Sequence, residues 1–250
     1  MPASRSRPVA RRRATCRSLL SLLPWLAASA AFAAPPGAAA QQAVPDTIAQ
    51  RVVACTTCHG KEGRATNQGY FPRIAGKPAG YLYHQLLNFR DGRRQYALMT
   101  YLVEHLSDDY LQEMAQYFAS LDLPYPPPQT SAAAPGVLAR GEALVRHGDA
   151  ARGIPACVAC HGSALTGVKP AIPGLLGLPR DYLNGQLGAW KAGQRRAHAP
   201  DCMAKIARDL APEDIGAVST WLSSQPLPAD PHPAERLPAA LPTPCGGVPN

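Results

Sequence analysis

Cys55-Thr56-Thr57-Cys58-His59-Gly60 and, further along, Cys157-Val158-Ala159-Cys160-His161-Gly162 are the stretches of this chain whose residue types and spacing can do chemistry. Thiols with two residues between them can form thioethers with the two vinyl groups of one porphyrin, while the imidazole that follows reaches the iron. The C-x-x-C-H run is therefore the attachment signal of c-type haem. A pair of thiols alone could equally hold zinc or cycle as a redox disulfide, but neither role asks for a histidine directly behind both pairs. Two copies imply two covalent haems, on Cys55 and Cys58 and on Cys157 and Cys160, with His59 and His161 as axial ligands.

Each iron then needs a group on its other face. Past the first residues the chain has three methionines, and two of them repeat: Met99 lies 40 residues after His59, and Met203 lies 42 after His161. A thioether is an established haem ligand that favours ferrous iron, so Met99 and Met203 are the expected partners. Met114 has no counterpart in the second half and reads as core, the commonest use of the residue. His84, His105, His147, His198 and His232 are unmatched between the halves and read as surface or partly buried side chains. Only His198, near Met203, has any claim as a substitute ligand. Between histidine and methionine each half carries a proline, Pro72 and Pro173, in a loop whose backbone carbonyl could accept the free imidazole N–H and fix the ring.

The elements that must position these groups are also written twice. Tyr81-Leu82, Gln85-Leu86, Arg90 and Gly92 recur 101 residues later as Tyr182-Leu183, Gln186-Leu187, Lys191 and Gly193. Met99, Leu106 and Tyr117 match Met203, Leu210 and Trp221 at an offset of 104, so the second half carries three extra residues between Gly193 and Met203. The duplication makes each half one haem-binding unit. Helices are expected from Pro45-Asp46 to Cys55 and from Gly136 to His147, then from Pro78 and Pro179 to near Gly92 and Gly193. A last pair should run from Ser107-Asp108-Asp109 to about Leu121 and from Ala211-Pro212 to about Leu222. Strand signals are nearly absent. Residues 122–135 form a proline- and alanine-rich connector, and seven prolines between Pro226 and Pro244 exclude regular structure from the tail, 225–250.

Residues 1–40 read as a secretory signal peptide. Six arginines precede an apolar run from Leu19 to Ala33, with cleavage sites near 33 or 40, and an uncleaved membrane anchor is the rival reading. The chain's net charge of +8 owes most of its size to this leader: without those six arginines the count is 19 basic against 17 acidic residues, or +2. Nothing in that balance points to nucleic acid or an anionic membrane. Of the seven cysteines, Cys16 leaves with the leader and four belong to the haem motifs. Cys202 and Cys245 remain, either as a disulfide or as two free thiols; a bond closing that 43-residue separation would contribute ~4 kcal/mol by loop entropy.

Together, C-x-x-C-H-G in two copies, P-x-I-A-G, Y-L-x-x-Q-L, F-R-x-G-x-R and a later methionine, in tandem halves behind a leader, resemble the dihaem cytochrome c4 family. The resemblance spans about Val44 to Ser224. It implies an all-α fold: two class I cytochrome c domains, 41–121 and 136–224, related by a pseudo-twofold axis with the haem propionate edges near their interface. It carries His59 and Met99 to one iron and His161 and Met203 to the other, with Pro72 and Pro173 beside the proximal histidines. Iron closed on both faces exchanges electrons and binds no small-molecule substrate, so the expected role is a periplasmic electron carrier. By resemblance the donor is a cytochrome bc complex or a dehydrogenase and the acceptor a haem-copper oxidase. The rival readings are a dihaem enzyme, such as a peroxidase or a thiosulfate-oxidising cytochrome, and the cytochrome subunit of a larger periplasmic dehydrogenase. The departures from the family pattern are Cys202 beside Met203, the three-residue insertion and the cysteine-bearing tail.

Overall fold

In the first half, Thr47 accepts a hydrogen bond from the Gln50 amide at 3.3 Å and starts α1, Ile48–Arg51. The expected start at Asp46 moves inward because that carboxylate is taken by Arg51, at 2.6 and 2.9 Å. At Val52 the chain leaves helical geometry, then resumes as α2, Val53–His59. The structure is a computed structural model and describes residues 44–65 and 69–248; the expected leader and Cys16 lie outside the described residues. The helices α3, Ala79–Arg90, and α5, Asp108–Ser120, follow the sequence closely, the latter capped by Ser107 accepting from the Tyr110 amide.

The second half runs α6, Pro135–His147, then α7, Cys157–His161, α8, Arg180–Lys191, and α10, Pro212–Ser224. Pro78 and Pro179 stand one position earlier than expected, at the N-cap, where a missing N–H costs nothing. Gly92 and Gly193, at φ of +71° and +73°, turn the chain away behind α3 and α8.

Two helices were not expected from the sequence: α4, Ala97–Val103, and α9, Cys202–Asp209, about two turns each, carrying Met99 and Met203. One small sheet also forms, β1, Gly167–Val168, against β2, Ile172–Pro173, antiparallel. On its other side Val168 bridges Ala234 of the tail, so the proline-rich segment is held by backbone hydrogen bonds at 2.8 and 2.9 Å.

Each half has its own core. Val52, Leu82, Phe89, Leu111, Met114 and Phe118 are among the residues filling the first. Leu144, Val145, Leu183, Val218, Trp221 and Leu222 are among those filling the second. In the second, α6 and α10 cross at Gly141, where a Cβ would strike the Ala217 carbonyl and stand 2.8 Å from the Trp221 Cβ. Glycine is what lets the two backbones meet.

Behind that crossing, buried Asp214 accepts from Arg140 Nε at 2.8 Å and Arg152 Nη2 at 2.7 Å. The bond from Arg140, and behind it that from Arg152, hold this carboxyl below the usual carboxylate range against the pull of burial. A folded-state pKa below the unfolded one stabilises above pH ~4 and is lost as pH falls through the folded value. Asp214→Asn is therefore expected to lose about 2 kcal/mol at pH 7 in urea melts, and the gap from the parent protein to close on acidification below pH ~4.

Candidate haem sites and the interface between them

One turn of helix explains why the attachment residues sit together. Positions i, i+3 and i+4 share a face, so α2 points Cys55, Cys58 and His59 to one side and α7 does the same with Cys157, Cys160 and His161. Both imidazoles are buried. His59 Nδ1 donates to the Pro72 carbonyl at 2.8 Å and His161 Nδ1 to the Pro173 carbonyl at 2.7 Å. A carbonyl can only accept, so Nδ1 carries the hydrogen and Nε2 presents a lone pair. Burial lowers the pKa of each ring from the ordinary histidine value, chiefly by desolvation, which keeps both in the neutral form that can ligate.

Those histidines line one continuous cavity of about 640 Å³ that also takes in all four motif cysteines, Met99 and Met203. Burial raises the Cys55 thiol above its usual value and pushes Cys157 up to about 12, with Cys160 adding to the effect. Both cysteines of each motif open onto the same cavity as the histidine that follows them, as a covalently attached haem requires. Met114 also touches the cavity wall but is packed in the first core.

Where the halves meet, the cavity is lined by three matched pairs. Arg94 donates to Gln85 Oε1 at 3.0 Å, to Gln186 Oε1 at 2.6 Å and to the Tyr182 hydroxyl at 3.4 Å. Arg195 answers with Gln186 Oε1 at 2.7 Å, Gln85 Oε1 at 3.0 Å and the Tyr81 hydroxyl at 3.3 Å. An antiparallel bridge joins the two arginines' backbones. Arg195 is only 4% exposed, and among the described residues neither guanidinium has a carboxylate partner. Burial, then the neighbouring Arg94 charge, pull its pKa down from the ordinary arginine value. Trp190, on the same wall, has a buried indole N–H with no acceptor, and its ring lies 3.7 Å from the Arg195 guanidinium carbon. A largely apolar chamber with paired cysteines, imidazoles aimed inward, and cations without carboxylate partners and an N–H at one edge is the donor set that a haem and its propionates require.

No protein-family model matches the sequence. Over 206 residues the chain is 35% identical to cytochrome c4 of Pseudomonas aeruginosa, covering 82% of this chain and 96% of the relative. The chain belongs to the cytochrome c4 family. A thiosulfate dehydrogenase electron acceptor from Thiomonas intermedia is also 35% identical over 219 residues, 86% of this chain and 92% of that protein. The crystal structure of reduced recombinant cytochrome c4 from Pseudomonas stutzeri superposes with a TM-score of 0.62 at 29% identity, covering 71% of this chain and 96% of that one. This cytochrome c4 is thus a dihaem electron-transfer protein with two covalently attached haem c groups, built from tandem class I domains.

What sequence reasoning passed over in this cytochrome c4 lies between the halves. Arg94 closes the quoted F-R-x-G-x-R motif, and Arg195 stands 101 residues on, so the signal was present without a role. Lys77 had none: its matched position is Leu178, yet it is 4% exposed and reaches across to the Gly174 carbonyl of the second proximal loop at 3.2 Å. Burial, reinforced by Arg73, brings its amine down to about 7. Buried Arg73 holds the connector, donating to the Leu123 and Pro124 carbonyls beneath the Tyr125 ring. His198, the substitute ligand considered above, meets His84 edge-on with ring centroids 5.8 Å apart and touches Arg93 Nη2 at 3.3 Å. No helix among the described residues is long and apolar enough to cross a membrane.

Proposed function

We propose that this cytochrome is a periplasmic electron acceptor for a dehydrogenase, the thiosulfate-oxidising kind being the best supported, and that it passes the electrons on to the respiratory chain. The observation that carries the donor is the 35% identity, over 86% of the chain, to a protein named for accepting electrons from thiosulfate dehydrogenase. In this reading residues 1–40 export the chain. Units 41–121 and 136–224, joined by 122–135 and followed by the tail 225–250, each hold one haem.

Cys55 and Cys58 would hold the first haem and Cys157 and Cys160 the second, while His59 with Met99 and His161 with Met203 would ligate the two irons. Haem supplies reversible one-electron exchange between ferric and ferrous iron. The Pro72 and Pro173 carbonyls hold each imidazole in its tautomer and orientation. Met99 and Met203 would close each iron to substrate, so in this reading the chain is a carrier with no catalytic residue. Partners are redox proteins that meet it through small, transient interfaces. A cytochrome bc complex is the second-choice donor, and a haem-copper oxidase the acceptor.

Rapid mixing tests this directly. Oxidised protein with a catalytic amount of a thiosulfate dehydrogenase and thiosulfate is expected to become fully reduced within seconds, and thiosulfate alone to leave it oxidised. Reduction by thiosulfate alone would make the chain itself the enzyme. Failure with the dehydrogenase, together with fast reduction by a cytochrome bc complex and quinol, would move the donor to the bc complex.

A further inference from the structure

The two halves differ most on the methionine side. At the offset of 104, Met99 answers to Met203, Leu102 to Ile206, and Leu98 to Cys202. In the first half Leu98 and Leu102 are 46% and 41% exposed, and Tyr96, at the N-cap of α4, makes no side-chain capping bond. In the second half Cys202 is bonded to Cys245 of the tail, with Cα atoms 5.0 Å apart. Asp201 caps α9, accepting from the Ala204 amide at 2.9 Å while its other oxygen takes the Ala197 amide at 2.7 Å.

The tail does more than touch this end. Leu241, Thr243, Cys245, Gly247 and Val248 line the cavity that holds Met203. Gly246 donates to the Pro200 carbonyl at 2.9 Å and lies so close to the Ala199 carbonyl that a Cβ would not fit. Ala199 and Pro200 belong to the loop that carries the three extra residues. A longer loop before Met203 has more conformations to lose when that side chain is held in one place. The segment that packs on this loop is also the segment that supplies Cys245. Insertion and tail therefore act on the same residues.

We propose that the tail, through Cys245, is a covalent lock on the ligand side of the second haem chamber: it positions Met203 and excludes external ligands, a service the first half lacks. Cys202 and Cys245 are positioning residues, since they act through Met203. The inference rests on Met203 being the axial ligand, as proposed above. Tethering the residue next to the ligand restricts how far Met203 can move away, so the first haem is the more exchangeable of the two.

Cyanide binding to the oxidised holoprotein, followed per haem alongside the near-infrared methionine-to-iron band, reads the lock. In the parent protein the second haem is expected to bind cyanide more slowly than the first. In Cys245→Ser it is expected to bind at least tenfold faster, with the first haem unchanged. The double variant Cys202→Leu/Cys245→Ala, which gives the second half the first half's residue, is expected to stay fast, because packing without the bond does not hold the loop.

Equal rates within twofold in the parent and Cys245→Ser, with two more thiols titrating in the denatured parent only after reduction, would overturn the lock. Met203→Ala separates the premise from the inference: if it leaves the band intact, the ligand assignment fails and the lock with it. Should Cys245→Ser not accumulate with haem, the folded parent can be treated with a phosphine and alkylated. Carbon monoxide binding at the second haem is then expected to speed up tenfold, and an unchanged rate would sink the proposal.

Discussion

Met99→Ala and Met203→Ala are each expected to remove half of the near-infrared methionine-to-iron absorption of the oxidised protein and to lower the potential of the affected haem by on the order of 0.2 V. The direction follows from the thioether, which stabilises ferrous iron better than the water or hydroxide that would replace it. The matched pair also makes each variant a control for the other, because Met99 lies on α4 of the first half and Met203 on α9 of the second. Met114→Ala sharpens the test. Met114 is 5% exposed among Val52, Leu111 and Phe118, so its truncation should cost about 2–4 kcal/mol in a denaturant melt and leave the band whole. If only one of the two variants loses absorption, the other iron is open or otherwise ligated. An open iron is what peroxide or thiosulfate chemistry would need, so that result would favour the enzyme reading over the carrier.

The chemistry of this protein was legible because c-type attachment compresses a cofactor site into five consecutive residues, and because duplication let one half check the other. The repeat picked Met99 and Met203 over Met114 without knowing that α4 or α9 existed. Those helices escaped notice because they are only seven and eight residues long, about two turns, too short for a repeating apolar face to stand out from chance. The sheet was missed for a related reason. Two residues per strand are too few to alternate, and the pairing of Val168 with Ala234 joins segments 66 residues apart.

Contacts between the halves were the least legible of all. Lys77, Arg94 and Arg195 look in sequence like solvated charges, the usual fate of lysine and arginine. They are drawn inward by the approach of a second unit whose position no local pattern encodes. Arg94 and Arg195 did recur in step with the tyrosines and glutamines they bind, so their spacing held a usable clue. Matched polar positions in a duplicated chain point to the surface where the copies face each other. Lys77 has no such mark, because Leu178 stands in its place.

That interface carries the second large effect. Arg195→Gln is expected to lower the potential of the haem it faces by roughly 50–100 mV, measured by spectroelectrochemical titration at pH 7, because the guanidinium is buried and lines the cavity that holds both sets of haem-binding residues. A nearby cation favours the reduced iron, whose charge is lower by one, so its removal shifts the balance toward ferric. A propionate left without its counter-charge in a buried setting also holds a proton more readily, so the variant's potential should acquire a pH dependence between about pH 5 and 8. Arg195→Lys separates charge from shape. An ammonium restores the charge but not the fork that spans Gln186, Gln85 and Tyr81, so the potential should return most of the way. Stability should not return with it, since at least one of the hydrogen bonds across the halves, at about 1 kcal/mol each, is lost. Equal potentials in Arg195→Gln and the parent would mean that the two arginines serve only to join the halves.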